Sequence, residues 1–236
     1  MLDPSLYHTL TTDEAGLVRA VTDFTREYFR HPRFDASHDF NHVLRVVGLA
    51  VRIMEGEQRN LQSSSSWVPS FRAVVYDPLT VILGAVLHDV DDRKYRADSG
   101  AGEACVKAQL LGLGLEEGYA SHVQTLVDGV SYSSEVKNPQ RVRDLIVTIP
   151  ELAVVQDADR LDAIGAVGIG RMFAYGAAKT SRDLGGSVEH IDDKLLHLEG
   201  MMKTDTGRAL ARVYTDRLKV FKSWWQEEID LASTLA

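Results

Sequence analysis

Apolar residues recur along this chain at spacings of three and four, the repeat of one helix face. Leu17, Val21, Phe24 and Tyr28 do so after Thr11-Thr12-Asp13-Glu14, predicting a first helix to about Phe29, with His31-Pro32 ending it. Ser37 is a candidate cap for a second helix, His38 to about Glu57, whose stripe is Val43, Val46, Val47, Ala50, Val51 and Met54. Asp77-Pro78 reads as the start of a third. Asp77 can cap it, and Pro78 fits the first helical position, where its missing N–H costs nothing. That third helix is apolar on nearly every side, so it belongs in the core. It ends in Leu87-His88-Asp89-Val90-Asp91-Asp92-Arg93-Lys94.

Helix signals resume at about 101–112, 117–131 and 139–148, with Leu126, Val127 and Val130 facing inward. Gly112, Gly114 and Gly118 separate the first two of these. A second apolar approach, Ile149 to Val155, ends in Gln156-Asp157, and Asp159-Arg160-Leu161-Asp162 follows. Gly165, Gly168 and Gly170 then interrupt a helical pattern at roughly 1 kcal/mol each relative to alanine, which predicts close packing on neighbours. A last helical region runs from about Ile191 to Ile229, weakest at Thr204 to Gly207, with Tyr214, Trp224 and Trp225 expected in the core. Residues 58–76, with Ser63 to Ser66 and Pro69, read as a loop or insertion, and residues 176–189 as a flap or loop. Nothing alternates with period two for long, and no repeat is visible. The class is all-α, one domain over 1–236 with its core at about 15–225.

Composition narrows this little: 44% hydrophobic and 25% charged residues are ordinary for a globular chain. A net charge of -8 argues against a surface built to grip nucleic acid or anionic membrane, though not against a small nucleotide. Cys105 is the only cysteine, so no internal disulfide is possible and a reducing compartment is expected. No apolar run approaches the length of a membrane span, and the N-terminus carries no basic-then-apolar signal. The expectation is a soluble, cytoplasmic protein that binds neither membrane nor nucleic acid; the sequence leaves its oligomeric state open.

The chemistry gathers where the apolar segments end. A buried helix that delivers His88 and Asp89 at its C-terminus carries polar groups inward at a cost, and a metal ion that binds both removes it. His42, on a helix with an apolar stripe, and Asp157 complete a candidate set of two imidazoles and two carboxylates. Such a set suits Mn²⁺, Fe²⁺, Ni²⁺, Zn²⁺ or Mg²⁺, with positions left for water and substrate. The plainer alternative is a helix C-cap whose imidazolium the dipole favours. Asp92 could move a proton, and Arg93 and Lys94 could bind phosphate oxygens; a solvated turn explains the same residues. Arg160 and Asp162 could bind phosphate or orient His42 or His88, or form a capping ion pair. His38-Asp39-x-x-His42 has the spacing of a zinc-protease helix, but Asp replaces Glu and no third ligand motif follows. His38 is therefore read as lining the substrate pocket or orienting a ligand, or else as a surface histidine.

The ordered strings His38-Asp39-Phe40-Asn41-His42, His88-Asp89-Val90-Asp91-Asp92-Arg93-Lys94-Tyr95 and Asp157-Ala158-Asp159-Arg160-Leu161-Asp162-Ala163-Ile164-Gly165 resemble the HD superfamily of metal-dependent phosphohydrolases, in particular its stand-alone bacterial and fungal members. The resemblance covers about residues 15 to 225. It implies an all-helical fold and one divalent ion, Mn²⁺ or alternatively Fe²⁺, Ni²⁺, Zn²⁺, Mg²⁺ or Co²⁺, held by His42, His88, Asp89 and Asp157. It further implies hydrolysis of a phosphoester or phosphoanhydride bond by a metal-activated water. The substrate class it implies is a nucleotide, cleaved as a nucleotidase or a nucleoside triphosphate pyrophosphohydrolase would cleave it. Asp92 and Lys94 would then serve catalysis, and His38, Arg93, Lys94 and Arg160 substrate binding. Asp92 stands where HD nucleotidases place an acid. The superfamily's dinuclear members use further histidines between the HD pair and the last Asp, and only His122 lies there, which disfavours a two-iron oxygenase. A catalytically silent binding module is the remaining alternative.

Overall fold

The computed structural model describes residues 8–63, 74–90 and 106–233, and among these there are eleven α-helices and no strand. Helix α1, Thr12–Tyr28, opens on a capping box: the Thr11 side chain accepts from the Glu14 N–H, and the Glu14 carboxylate accepts from the Thr11 N–H. Helix α2 runs Phe40–Ser63 and α3 Pro78–Leu87, with the Asp77 side chain accepting from the Thr80 N–H and Pro78 in the first turn. Short helices α4, Val106–Gly112, and α5, Glu117–Val130, follow, then α6, Tyr132–Lys137, and α7, Pro139–Thr148. The chain continues through α8, Glu151–Asp162, and α9, Gly165–Tyr175. A π turn at Gly176–Thr180 leads into α10, Leu184–Asp193, and a 3-10 stretch at Leu195–Met201 precedes α11, Asp205–Ser233.

Helix α3 is the centre of the packing. Every residue from Leu79 to Leu87 is buried, and α1, α2, α5 and α8 all pack against it. An apolar helix of this kind is stable only when surrounded, because each large aliphatic side chain buried contributes about 1.5–3 kcal/mol. Helix α8 is equally enclosed, with only Asp159 of its twelve residues short of full burial. The consequence for function is direct: two buried helices, α3 and α8, end or pass beside the N-terminal turn of α2.

Most predicted boundaries hold to within a few residues, and the differences have local causes. Helix α2 starts at Phe40 rather than His38, since Asp39, not Ser37, caps it by accepting from the His42 N–H at 3.0 Å. It also continues through 58–63, part of the expected loop, while 64–73 lies outside the described residues. The expected 176–189 loop is largely ordered as the π turn and the start of α10, with the Asp183 side chain capping Gly186 N–H. Trp225 packs with Phe173 and Phe221 as expected, but Trp224 is 61% exposed and not a core residue.

The glycines of α9 act individually. Gly168 abuts the backbone of Ala163, where a Cβ would lie 2.4 Å from its carbonyl, whereas Gly170 faces open space. Gly165 has φ +72 and sits 3.1 Å, measured from a hypothetical Cβ, from the Tyr214 ring. Gly165→Ala is therefore expected to cost about 1–2 kcal/mol through the left-handed backbone alone, visible in thermal unfolding as a fall of a few degrees.

Candidate metal centre

His42 lies in the first turn of α2, His88 caps the C-terminus of α3 and Asp89 follows it. Both imidazoles are buried. Their Nε2 atoms stand 3.1 Å apart. An Asp89 carboxylate oxygen lies 3.3 Å from the His42 Nε2 and 3.4 Å from the His88 Nε2. A carboxylate oxygen of Asp159, from α8, lies 3.6 and 3.8 Å from the same two nitrogens. His42, His88 and Asp89 offer ligand atoms that all fall within 4.8 Å of one another.

Hydrogen bonding sets the tautomers. The His42 Nδ1 faces a carboxylate oxygen of Asp162 at 2.7 Å, and the His88 Nδ1 faces the Ala85 carbonyl at 2.8 Å. Each partner can only accept, so each Nδ1 carries the proton. In the neutral rings both Nε2 atoms then present bare lone pairs toward each other and toward two carboxylates. Four electron-rich groups then converge, a repulsion that a proton on one imidazole or a metal cation at their centre relieves. The titration behaviour has the same origin. Burial pushes the His88 imidazolium down, but the Asp89 and Asp159 carboxylates outweigh it and lift the group to about 9. Burial would raise Asp89, yet the two imidazoles hold it well below the usual carboxylate range. Partial burial would raise Asp159 too, but Arg160 beside it outweighs this and brings it to about 2.

Asp162 is the anchor of the cluster. Its carboxylate accepts from His42, from Arg45 through Nε at 2.7 Å and Nη2 at 3.0 Å, and from Arg171 at 3.0 Å. Arg171 also donates from Nε to the Ser37 carbonyl at 2.7 Å, which ties α9 to the segment before α2.

Asp157 does not join this cluster. Its two oxygens accept from the Lys203 N–H at 2.9 and 3.0 Å, and one of them also from the N–H and hydroxyl of Thr204, each at 2.8 Å. Two residues apart on a helix of 3.6 residues per turn, Asp157 and Asp159 point about 200° apart, to opposite faces of α8. Asp157 thus bonds the segment leading into α11, while Asp159 meets the histidines. Its burial, only partly offset by those hydrogen bonds, raises its pKa.

A cavity of about 900 Å³ opens on His88, Asp89 and Asp159, large enough for a mononucleotide-sized ligand. Arg160, Arg171, Arg182 and Lys194 line it, with Tyr132 and Tyr175. His38 also lines it, its ring centroid 5.8 Å from that of His42. Because α2 begins after His38, the two histidines do not share a helical face, and Asp39 is engaged as the cap. The spacing of a zinc-protease helix is therefore present without its geometry.

No family model matches the chain. A curated relative, the uncharacterised YpgQ protein of Bacillus subtilis, is 34% identical over 179 residues, 75% of this chain and 77% of YpgQ. The crystal structure of Bacillus subtilis YpgQ in complex with ADP superimposes with a TM-score of 0.67 at 29% identity, covering 90% of this chain and 97% of that one. An HD-superfamily hydrolase from Bacillus thuringiensis matches with a TM-score of 0.63 at 26% identity, over 92% of this chain and 98% of that one. The chain belongs to the HD superfamily.

Within that superfamily frame, several expectations can be placed. His42, His88 and Asp89 come together, Arg160 and His38 reach the cavity, and Asp162 orients His42. Asp92, Arg93 and Lys94 lie outside the described residues. His122 stacks on Tyr119 in α5, with centroids 6.4 Å apart. The structure adds Asp159, Arg45 and Arg171 to the site. The signal for Asp159 lies in helical phase: Asp159 and Asp162, three apart, share one face of α8, and Asp157 does not. Among the described residues no helix is long and apolar enough to cross a membrane.

Proposed function

We propose that this HD-superfamily protein is a phosphohydrolase that cleaves a phosphoester or phosphoanhydride bond of a nucleotide, using one divalent ion held by His42, His88, Asp89 and Asp159. The observation that carries the reading is the meeting of the two Nε2 atoms with two carboxylates beside a cavity lined by Arg160, Arg171, Arg182 and Lys194. Two imidazoles and two carboxylates suit Mn²⁺, Fe²⁺, Co²⁺, Ni²⁺, Zn²⁺ or Mg²⁺, and the resemblance to the HD phosphohydrolases favours Mn²⁺ among them. Bound there, the ion supplies a water of lowered pKa and neutralises charge on the phosphoryl oxygens.

The chain's own residues do the rest. Asp162 and the Ala85 carbonyl hold the two imidazoles in the tautomer that can ligate. Arg160 and Arg171 add positive charge to the cavity wall, where phosphate oxygens are favoured. His38 stands at the same wall as a candidate substrate contact. Asp92 is the candidate for proton transfer, and Arg93 and Lys94 are further candidates for phosphate binding, immediately downstream of Asp89. The ADP bound by the similar YpgQ supports a nucleotide as the ligand class here.

The test is direct. Protein loaded with Mn²⁺ is expected to release phosphate or pyrophosphate from at least one member of a nucleotide panel. Stripping the metal with a chelator should abolish that release, and adding Mn²⁺ back should restore it. The same treatment should lower the melting temperature, since an ion bound only by the folded state stabilises it. Release that persists without metal would refute the proposal.

A further inference from the structure

A largely buried chain of charges runs outward from the candidate metal centre along α8 and α6, and the proposed chemistry does not use all of it. Asp159 divides its carboxylate: Oδ1 faces His42 and His88, and Oδ2 accepts from the Arg160 Nη1 at 2.5 Å. Arg160 is almost completely buried. Its Nη2 donates to the Val130 carbonyl at 2.8 Å and to a Glu135 oxygen at 3.2 Å, and its guanidinium lies 5.5 Å over the Tyr132 ring. The other Glu135 oxygen pairs with the Lys203 Nζ at 2.7 Å. Lys203 is the residue whose backbone N–H also holds Asp157. The sequence Asp159, Arg160, Glu135, Lys203 thus alternates in sign and returns to α8 through Asp157.

We propose that Glu135 is a positioning residue: it fixes Arg160, and through Arg160 the carboxylate of Asp159, from a helix that also forms a wall of the substrate cavity. The inference rests on Asp159 being a metal ligand. Three considerations support it. Buried ion pairs add little net stability, because desolvation offsets the attraction, so the network's effect is chiefly geometric. A carboxylate that meets a metal with one oxygen is oriented by whatever holds the other, and such partners are worth about 10–100-fold in metal affinity. Finally, α6 contributes Tyr132, Ser133, Ser134 and Lys137 to the cavity. A ligand pressing on that wall reaches Asp159 through two contacts.

The experiment is Co²⁺ titration followed by visible absorption, which reads the ligand field rather than turnover. Glu135→Gln is expected to weaken Co²⁺ binding about tenfold and to shift the absorption bands, with the far-ultraviolet circular dichroism unchanged. Glu135→Asp keeps the charge but shortens the reach, and should show the same shift in smaller measure. It also serves as the decisive variant should Glu135→Gln not fold. Asp159→Asn separates the two levels of the argument. If it leaves the Co²⁺ spectrum and affinity untouched, Asp159 is not a ligand and the inference falls with that reading. If it changes both while the folded Glu135 variants match the unaltered protein, the positioning role alone is overturned.

Discussion

Asp159→Asn is expected to lower metal-dependent turnover by at least about a hundredfold, whereas Asp157→Asn leaves the metal bound. A hundredfold is the upper end of what losing an outer partner of a metal ligand costs, and a ligand itself should cost no less. The contrast is sharp because the two carboxylates are chemically alike and two residues apart. Only their helical phase separates them. Asp159 faces two imidazoles; Asp157 is saturated by the backbone N–H groups of Lys203 and Thr204 and the Thr204 hydroxyl. Asp157→Asn should instead act on stability. It replaces an acceptor of several hydrogen bonds by an amide that must turn one N–H toward donors, at about 1–3 kcal/mol for each group left unsatisfied. Metal content by elemental analysis, read beside melting temperature, distinguishes the two outcomes: metal lost with Asp159, stability lost with Asp157.

Asp162→Ala carries the second large effect, and it falls on folding and metal binding together. The carboxylate is buried and accepts from three residues, His42, Arg45 and Arg171. Removing one side of a buried ion pair costs about 3–5 kcal/mol, because the partner stays buried and unpaired. Arg45 is a third exposed and can turn to water, which places the expected loss near 3 kcal/mol. At 2–4 °C per kcal/mol for a chain of this size, the melting temperature should fall by roughly 6–12 °C. His42 would also lose the acceptor that fixes its tautomer, and metal affinity should drop about 10–100-fold. Asp162→Asn is the informative companion. Its carbonyl oxygen can still accept from the His42 Nδ1–H, so most of the metal affinity should survive while the arginine pairings weaken. Equal affinity loss in both variants would mean that charge, not orientation, is what Asp162 supplies.

Much of the architecture was legible because its signals are local. Thr11 with Glu14, and Asp77 before Pro78, are start signals whose physics lies within four residues, and both helices begin where those residues predict. The burial of α3 followed from an apolar run with no polar face. His42, His88 and Asp89 could be singled out because each sits at the end or start of an apolar helix, where a polar group needs a partner.

What could not be read depended on phase and distance. Helix α8 is enclosed on all sides, so no hydrophobic stripe marks which of its acids turns toward α3, and Asp157 and Asp159 look equivalent along the chain. The backbone donors that engage Asp157, at Lys203 and Thr204, lie far away in sequence. Arg45, Arg171 and Glu135 carry no sequence signal for a related reason. Each is an ordinary charged residue until folding brings it against Asp162 or Arg160. The segment from 176 reads as loop because glycine and polar residues dominate it, yet Asp183 caps a full helix there.

One cation is expected among four side chains drawn from α2, α3 and α8 and the turn after α3. Anomalous diffraction from a crystal grown with Mn²⁺ tests it most directly. The expected result is a single peak within bonding distance of the His42 and His88 Nε2 atoms and of the Asp89 and Asp159 carboxylates. No peak among those four groups, or a peak beside Asp157 instead, would contradict it.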